Sequence, residues 1–410
     1  RWGYSSEEEF RYIANTMREY EIPLDGLHFD IDYMEKYKVF TWNQDRFPTL
    51  EKLLEELKTM GVKPICIIDP GVKVEEGYDI YEEGIKNDYY AKTPEGQVYI
   101  NEVWPGDAVY PDFGKEEVRK WWGKNHKFLL DKGIRGVWND MNEPASFRGP
   151  LPDDVMFTDE DRPALHKEMH NVYGHNMAKA TYEGIKELSG KRPFLITRAC
   201  YAGSQKYSTM WTGDNQSLWN HLRMAVPQQC NMGLSGLSFI GTDIGGFGSD
   251  CTPELMARWI QAGVFSPLCR NHSAAGTKCQ EPWRYSKEIV DIYRKYVNLR
   301  YELIPYFYDK MRETEETGLP MIRPLVLHYP TDKNVWNLND EFLLGENILV
   351  APVVEQGATK RMVYLPEGKW YDYWTKEEVE GGQYFIKEAP LDVCPIYIKA
   401  GSVLPKYPKQ

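Results

Sequence analysis

GIRGVWNDMNEPASF, residues 133–147, is an apolar run that ends in two carboxylates, Asp140 and Glu143. An apolar segment of strand length, bounded by turn residues, reads as a buried strand. Acids are normally spent on solvated surfaces, yet these two follow directly on the strand, among Trp138, Met141 and two asparagines. Capping of a turn ahead of Pro144 is the ordinary explanation. Chemistry at a strand end is the other.

Outward from this stretch, strand-like apolar runs alternate with amphipathic ones as far as about residue 310. The strand candidates are LDGLHFDID (24–32), VKPICIID (62–69), GIRGVWND (133–140), PFLITR (193–198), TMWTGD (209–214), LSGLSFIGTD (234–243) and GVFSPLCR (263–270). Between several of them lie SSEEEFRYIANTMREY, TLEKLLEELKTMG, EEVRKWWGKNHKFLLDKG and HNVYGHNMAKATYEGIKEL, with helical periodicity. Strand followed by helix, repeated, implies a parallel sheet. Polar residues gather at the downstream strand ends: Asp30, Asp32, Asp69, Asp140, Arg198, Asp214, Asp243 and Arg270. In a (β/α)8 TIM barrel those ends form the substrate face, and seven contributing strands favour the closed barrel over an open doubly wound sheet.

The expected organisation is α/β: a catalytic barrel over residues 1–318, then a β-sandwich over 319–410. The eighth strand would sit just before Arg1, so the first strand reads as truncated. A less regular insertion covers about residues 70–132 and reads as lying over the barrel mouth. Short runs such as KRMVYLP and GGQYFIKEAP, punctuated by Gly and Pro, carry the sandwich.

Composition narrows the function. The net charge of −12 argues against nucleic acid or an anionic membrane as partner and leaves a neutral small-molecule substrate open. Aromatic residues at 14%, with 13 Trp and 28 Tyr, serve either core packing or stacking on ring-shaped ligands. Seven cysteines without a CxxC pair suggest no disulfide framework and no zinc site, and point to a reducing, cytoplasmic setting. HKEMH (166–170) lacks the glutamate of HExxH and reads as a solvated helix face; GTDIGGFG lacks the Lys of a phosphate loop.

TMWTGDNQSLW (209–219) supplies a second acid at another strand end. Gly213 allows a tight turn, Asp214 follows, and Trp211 and Trp219 flank it. Two carboxylates from different strands, set among aromatics, suit glycosidic cleavage. One attacks or stabilises the anomeric carbon and the other protonates the leaving oxygen.

RWGY, DIDYM, IIDP, VWPG, WNDMNEP, ITR, WTGDN, GTDIGGF and RNH stand in an order and spacing that resemble glycoside hydrolase family 31, the α-glucosidase and α-xylosidase family. The resemblance spans residues 1–400. It implies a retaining, exo-acting α-glucosidase working through a covalent glycosyl-enzyme on small oligosaccharides. The reading includes neither cofactor nor metal, and a homo-oligomer is compatible with it. Position by position, Asp140 matches the family nucleophile and Asp214 its acid/base. Asp30, Arg198 and His272 match residues that bind sugar hydroxyls. Trp2, Ile31, Ile67, Trp104, Trp138, Met141 and Phe247 match pocket walls. Trp211 reads as an apolar wall that would raise the pKa of Asp214, and Trp42, just after DIDYM, as narrowing the entrance. Asn142 and Glu143 read as orienting the loop. The alternatives are an α-xylosidase, a transglucosidase, or a non-catalytic carbohydrate-binding relative. The family's usual N-terminal β-sandwich has no counterpart, so either an upstream segment lies outside these residues or another segment completes the barrel.

Overall fold

A computed structural model describes residues 1–407, in two compact units. Unit one joins Arg1–Thr16 to Leu24–Met210; unit two joins Met17–Pro23 to the chain from Trp211 onward. Among the described residues no helix is long and apolar enough to cross a membrane.

Unit one is organised on parallel strands β1 (Gly26–Phe29), β2 (Lys63–Ile68), β3 (Gly136–Asn139), β4 (Phe194–Thr197) and the start of β5 (Thr209–Trp211), whose Thr209 and Met210 pair with β4. They neighbour one another in chain order. β2 is buried from Pro64 to Ile68 and β3 at every position. Strands covered on both faces need no polar alternation, which is why both read as unbroken apolar runs. The helix Leu50–Thr59 buries Leu50, Leu53, Leu54 and Leu57, the spacing of one helical face. The helix Glu116–Asn125 meets the helix His166–Ser189 through glycine: a Cβ on Gly123 would lie 2.9 Å from the Gly184 Cα. Any side chain there would push the two helices apart. Residues 70–132 are more ordered than the sequence suggests. They hold an antiparallel ribbon of Val72–Lys73, Gly106–Val109 and Ile100–Val103, and the helix Asp79–Lys86.

Unit two carries β6 (Ile240–Gly241), β7 (Asp243–Ile244) and β8 (Arg270–Asn271), with Asp243 opposite Arg270 in parallel register. Two strand expectations shrink here. Of GVFSPLCR only Arg270 is in a strand: Gly263 still ends the helix Pro253–Gly263, and the Val264, Phe265 and Ser266 amides turn back onto the carbonyls of Ile260, Ala262 and Gly263. The Arg300 guanidinium donates to the carbonyls of Val264, Ser266 and Pro267 at 2.6, 2.7 and 2.8 Å and holds that turn. LSGLSFIGTD likewise keeps only β6 and the start of β7, since Leu234 still belongs to the helix Trp219–Leu234. That helix and Pro253–Gly263 escape the sequence reading. Pro253–Gly263 is buried on nearly every side and so shows no polar face.

The downstream strands are β9 (Ile322–Arg323), β10 (Phe342–Leu344), β11 (Ile348–Val350), β12 (Lys360–Leu365), β13 (Lys369–Asp372), β14 (Glu378–Glu380), β15 (Gln383–Glu388) and β16 (Ile396–Lys399). One sheet has the order β9-β10-β11-β16-β13-β14, and β12 pairs with β15 separately. Leu343, Leu349 and Tyr397 of the first sheet share a buried cluster with Val363 and Leu365 of the second. Two antiparallel sheets closing on one core is sandwich packing.

Candidate functional site

In unit one the strand ends fall in register. Ile68 lies opposite Asn139, and Asn139 opposite Thr197, so Asp69, Asp140 and Arg198 follow three neighbouring strands at one level. The Arg198 guanidinium places Nη1 3.1 Å from Asp140 Oδ1. Its Nε and Nη2 donate to the two carboxylate oxygens of Glu143 at 2.7 and 2.9 Å. Such a two-pronged contact fixes the plane of the guanidinium and the position of both acids. Asn142, fully buried, donates to Thr197 Oγ1 at 2.9 Å and accepts the Ala199 amide at 3.0 Å. Together these bonds hold Met141 at φ 56, a left-handed conformation uncommon outside glycine. The expected orienting role of Asn142 and Glu143 is visible in these bonds.

Asp30 sits at the end of β1, where its Oδ1 accepts the Ile31 amide at 2.7 Å and caps the turn Ile31–Tyr33. Asp69 is buried, and burial above all, with the nearby Asp140 charge next, pushes its carboxyl well above the ordinary range; Arg198 works in the opposite direction. Asp69 carried no role in the sequence reading, although its strand-end position was plain.

The expected walls divide. Trp2 and Trp104 meet edge to face at 5.2 Å, and Trp104 meets Phe147 at 4.9 Å, while Met141 packs into the Trp104 cluster. Phe147, at the end of the opening stretch, is half exposed. Ile31, Ile67 and Trp138 are buried, with Ile67 opposite Trp138 in the sheet. Trp42 is a core residue instead of an entrance residue: its ring packs among Tyr33, Phe47 and Phe29 at 4.7, 5.5 and 5.8 Å. In HKEMH, too, His166 is buried with its pKa pushed down to about 4 by burial, while Lys167, Glu168 and His170 are solvated.

In unit two Asp214 follows Gly213, whose φ of 81 makes the turn, and is exposed. Trp211, expected as its apolar wall, is buried with its ring 4.8 Å from the Arg270 guanidinium. Arg270 in turn donates twice to Asp243 Oδ1, at 3.2 and 2.8 Å, forming a buried ion pair. Asn215 braces the GTDIGGF turn by donating to the Asp243 carbonyl at 3.0 Å and accepting the Phe247 amide at 2.9 Å. Gly246 is required there: at φ 91 an added Cβ would lie 2.3 Å from the Ser217 amide nitrogen. The Phe247 and His272 rings pack at 5.2 Å, both expected pocket residues.

The profile for the glycosyl hydrolases family 31 TIM-barrel domain matches residues 1–310, and that for the family's C-terminal domain matches 318–404. The chain belongs to glycosyl hydrolase family 31. Its fold is therefore α/β, a TIM-barrel domain followed by a C-terminal β-sandwich domain. It is similar to alpha-glucosidase 2 of Bacillus thermoamyloliquefaciens, 49% identical over 98% of this chain and 52% of the relative. Among solved structures it resembles a family 31 dextranase of Flavobacterium johnsoniae complexed with glucose, at TM-score 0.94 and 36% identity, over 99% of this chain and 52% of the dextranase. A family 31 alpha-xylosidase from a soil metagenome, complexed with xylose, superposes at TM-score 0.91 with 28% identity, over 98% of this chain and 62% of its own. The chain spans about half the length of the curated relatives it matches.

Proposed function

We propose that this protein is a retaining, exo-acting α-glucosidase that releases terminal non-reducing glucose from α-linked oligosaccharides. The observation that carries the reading is the Asp140–Arg198 ion pair at 3.1 Å, in the WNDMNEP turn of a family 31 barrel domain. A guanidinium at that distance favours an ionised carboxylate, the form a nucleophile needs. In this reading Asp140 attacks the anomeric carbon while Asp214 gives its proton to the departing oxygen. A glycosyl ester on Asp140 results. Asp214 then takes a proton from water, the water oxygen attacks the same carbon, and the ester bond breaks with the α-configuration restored. The solvent exposure of Asp214 supports a group that must exchange protons with water in each cycle.

Asp30, Arg198 and His272 are assigned to the sugar hydroxyls. Trp2, Trp104, Met141 and Phe247 are assigned to the walls. The catalytic barrel is taken to end at Gly318, which stops the helix Ile304–Thr317 in a left-handed conformation before the first antiparallel strand. The cytoplasmic setting rests on the cysteine pattern, seven cysteines without a CxxC pair.

The second reading is an α-xylosidase, favoured by the likeness to the soil-metagenome enzyme. Hydrolysis of p-nitrophenyl α-glucoside and α-xyloside by the intact protein separates the two. Higher kcat/KM on the glucoside is expected; preference for the xyloside overturns the glucosidase assignment.

A further inference from the structure

Asp69 is surrounded by the carboxyls of Asp140, Asp30 and Glu143, against the guanidinium of Arg198 as cation. Arg198 is engaged with Asp140 and Glu143. Asp30 spends Oδ1 on the Ile31 amide, and the nearby Tyr33 hydroxyl donates to the Ile67 carbonyl at 2.7 Å. Cys66, in β2 three residues before Asp69, is a buried thiol and brings no positive charge.

Asp69 itself is 5% exposed, and its Oδ1 is closed off from solvent and accepts no hydrogen bond among the described residues. An ionised carboxylate there would be a buried charge without a compensating donor, an arrangement that proteins relieve by taking up a proton. Its neighbour across the sheet is Asp140, because Ile68 pairs with Asn139 and the Asp140 amide still donates to the Ile68 carbonyl at 3.4 Å. Neighbouring strands lie about 4.8 Å apart, so two ionised acids at these positions would repel strongly.

We propose that Asp69 stands as a neutral carboxylic acid beside Asp140 and acts as a positioning residue: by keeping its proton it leaves the Arg198 charge to Asp140 and Glu143. The inference deepens the glucosidase reading and rests on it for the role of Asp140. It has a consequence within the reaction. When Asp140 becomes an ester its negative charge disappears, so one of the charges that holds the Asp69 proton is lifted and Asp69 is more acidic in the glycosyl-enzyme than in the free enzyme.

Asp69→Asn, in the intact protein, replaces a neutral acid by a neutral amide of the same shape. The acid limb of kcat/KM, which reports ionisation of the nucleophile in the free enzyme, is expected to coincide with that of the wild type. Turnover is expected to stay within about ten-fold. A shift of the acid limb to lower pH would mean that a negative charge had been removed, and overturns the proposal. So does a loss beyond about a hundred-fold in a variant with wild-type circular dichroism and melting. Infrared spectroscopy supplies a readout that needs no turnover: at neutral pH the wild type shows a protonated-carboxyl C=O band that Asp69→Asn lacks. Absence of that difference also overturns the proposal. Asp69→Ser provides the same subtraction where the amide variant does not fold. If the wild type hydrolyses no α-glucoside, the glucosidase reading fails, and the infrared difference still decides the state of Asp69.

Discussion

Arg198 in unit one and Arg258 in unit two are both guanidiniums withdrawn from water, and they are satisfied by different kinds of partner. Arg198 is 17% exposed at its side chain and faces carboxylates: Asp140 at 3.1 Å and Glu143 at 2.7 Å. Arg258 is 1% exposed and donates to backbone carbonyls, those of Ala389 at 2.7 Å, Val393 at 3.0 Å, Ala358 at 3.1 Å and Pro390 at 3.2 Å. Carbonyl oxygens neither gain nor lose charge during a reaction, so the second arrangement ties two chain segments, at Ala358 and at Ala389–Val393, to one helix. Carboxylates can lose their charge by esterification or protonation. A cation matched to them therefore feels each chemical step. The physical difference between the two arginines is whether the partner's charge can change.

Three substitutions would break or sharpen that contrast. Asp140→Ala is expected to lower turnover by about 10⁴-fold or more, some 5.5 kcal/mol of transition-state stabilisation, with little change in melting. Steady-state kinetics on an α-glucoside, with calorimetry alongside, checks both halves. Retention of activity would remove Asp140 from the chemistry. Arg258→Met takes the donor from four carbonyls, of which that of Ala389 is buried, leaves the cavity of a buried side chain, and is expected to destabilise the fold by about 3 kcal/mol, read from chemical denaturation. The kcat of the folded fraction should match the wild type; a kcat effect without a stability effect would erase the distinction drawn here. Arg198→Lys keeps the charge but loses the planar fork that reaches Glu143 and Asp140 together. Turnover is expected to fall about 10²-fold, roughly 2.7 kcal/mol, with melting shifted by only a few degrees. A larger loss of stability than of turnover would class Arg198 with Arg258.

The parallel-strand core was legible because burial on both faces removes polar alternation, so KPICII and GVWN stand out as apolar runs. GVFSPLCR fails as a strand because its first residue ends a buried helix, and the turn that follows is held by Arg300, more than thirty residues away, which no local pattern reveals. Trp42 was misplaced for a similar reason. Nearness in sequence to DIDYM says nothing about side-chain direction, and the ring turns into the cluster of Phe29, Tyr33 and Phe47. His166 was expected in solvent because its neighbours are charged, yet it begins the helix His166–Ser189 on the buried side.

The sequence by itself determined the family, the alternation of strand and helix, and the acids that terminate the strands. Those features are written in residue type and local spacing, which the linear chain carries directly. Which acid meets a cation, and which is left buried without one, was decided by tertiary structure. Asp69 and Asp140 are separated by β2-to-β3 connections of some length in the chain, yet strand register sets them side by side and directs Arg198 to only one of them. Electrostatic state depends on distance and burial, and both arise only when the strands pair.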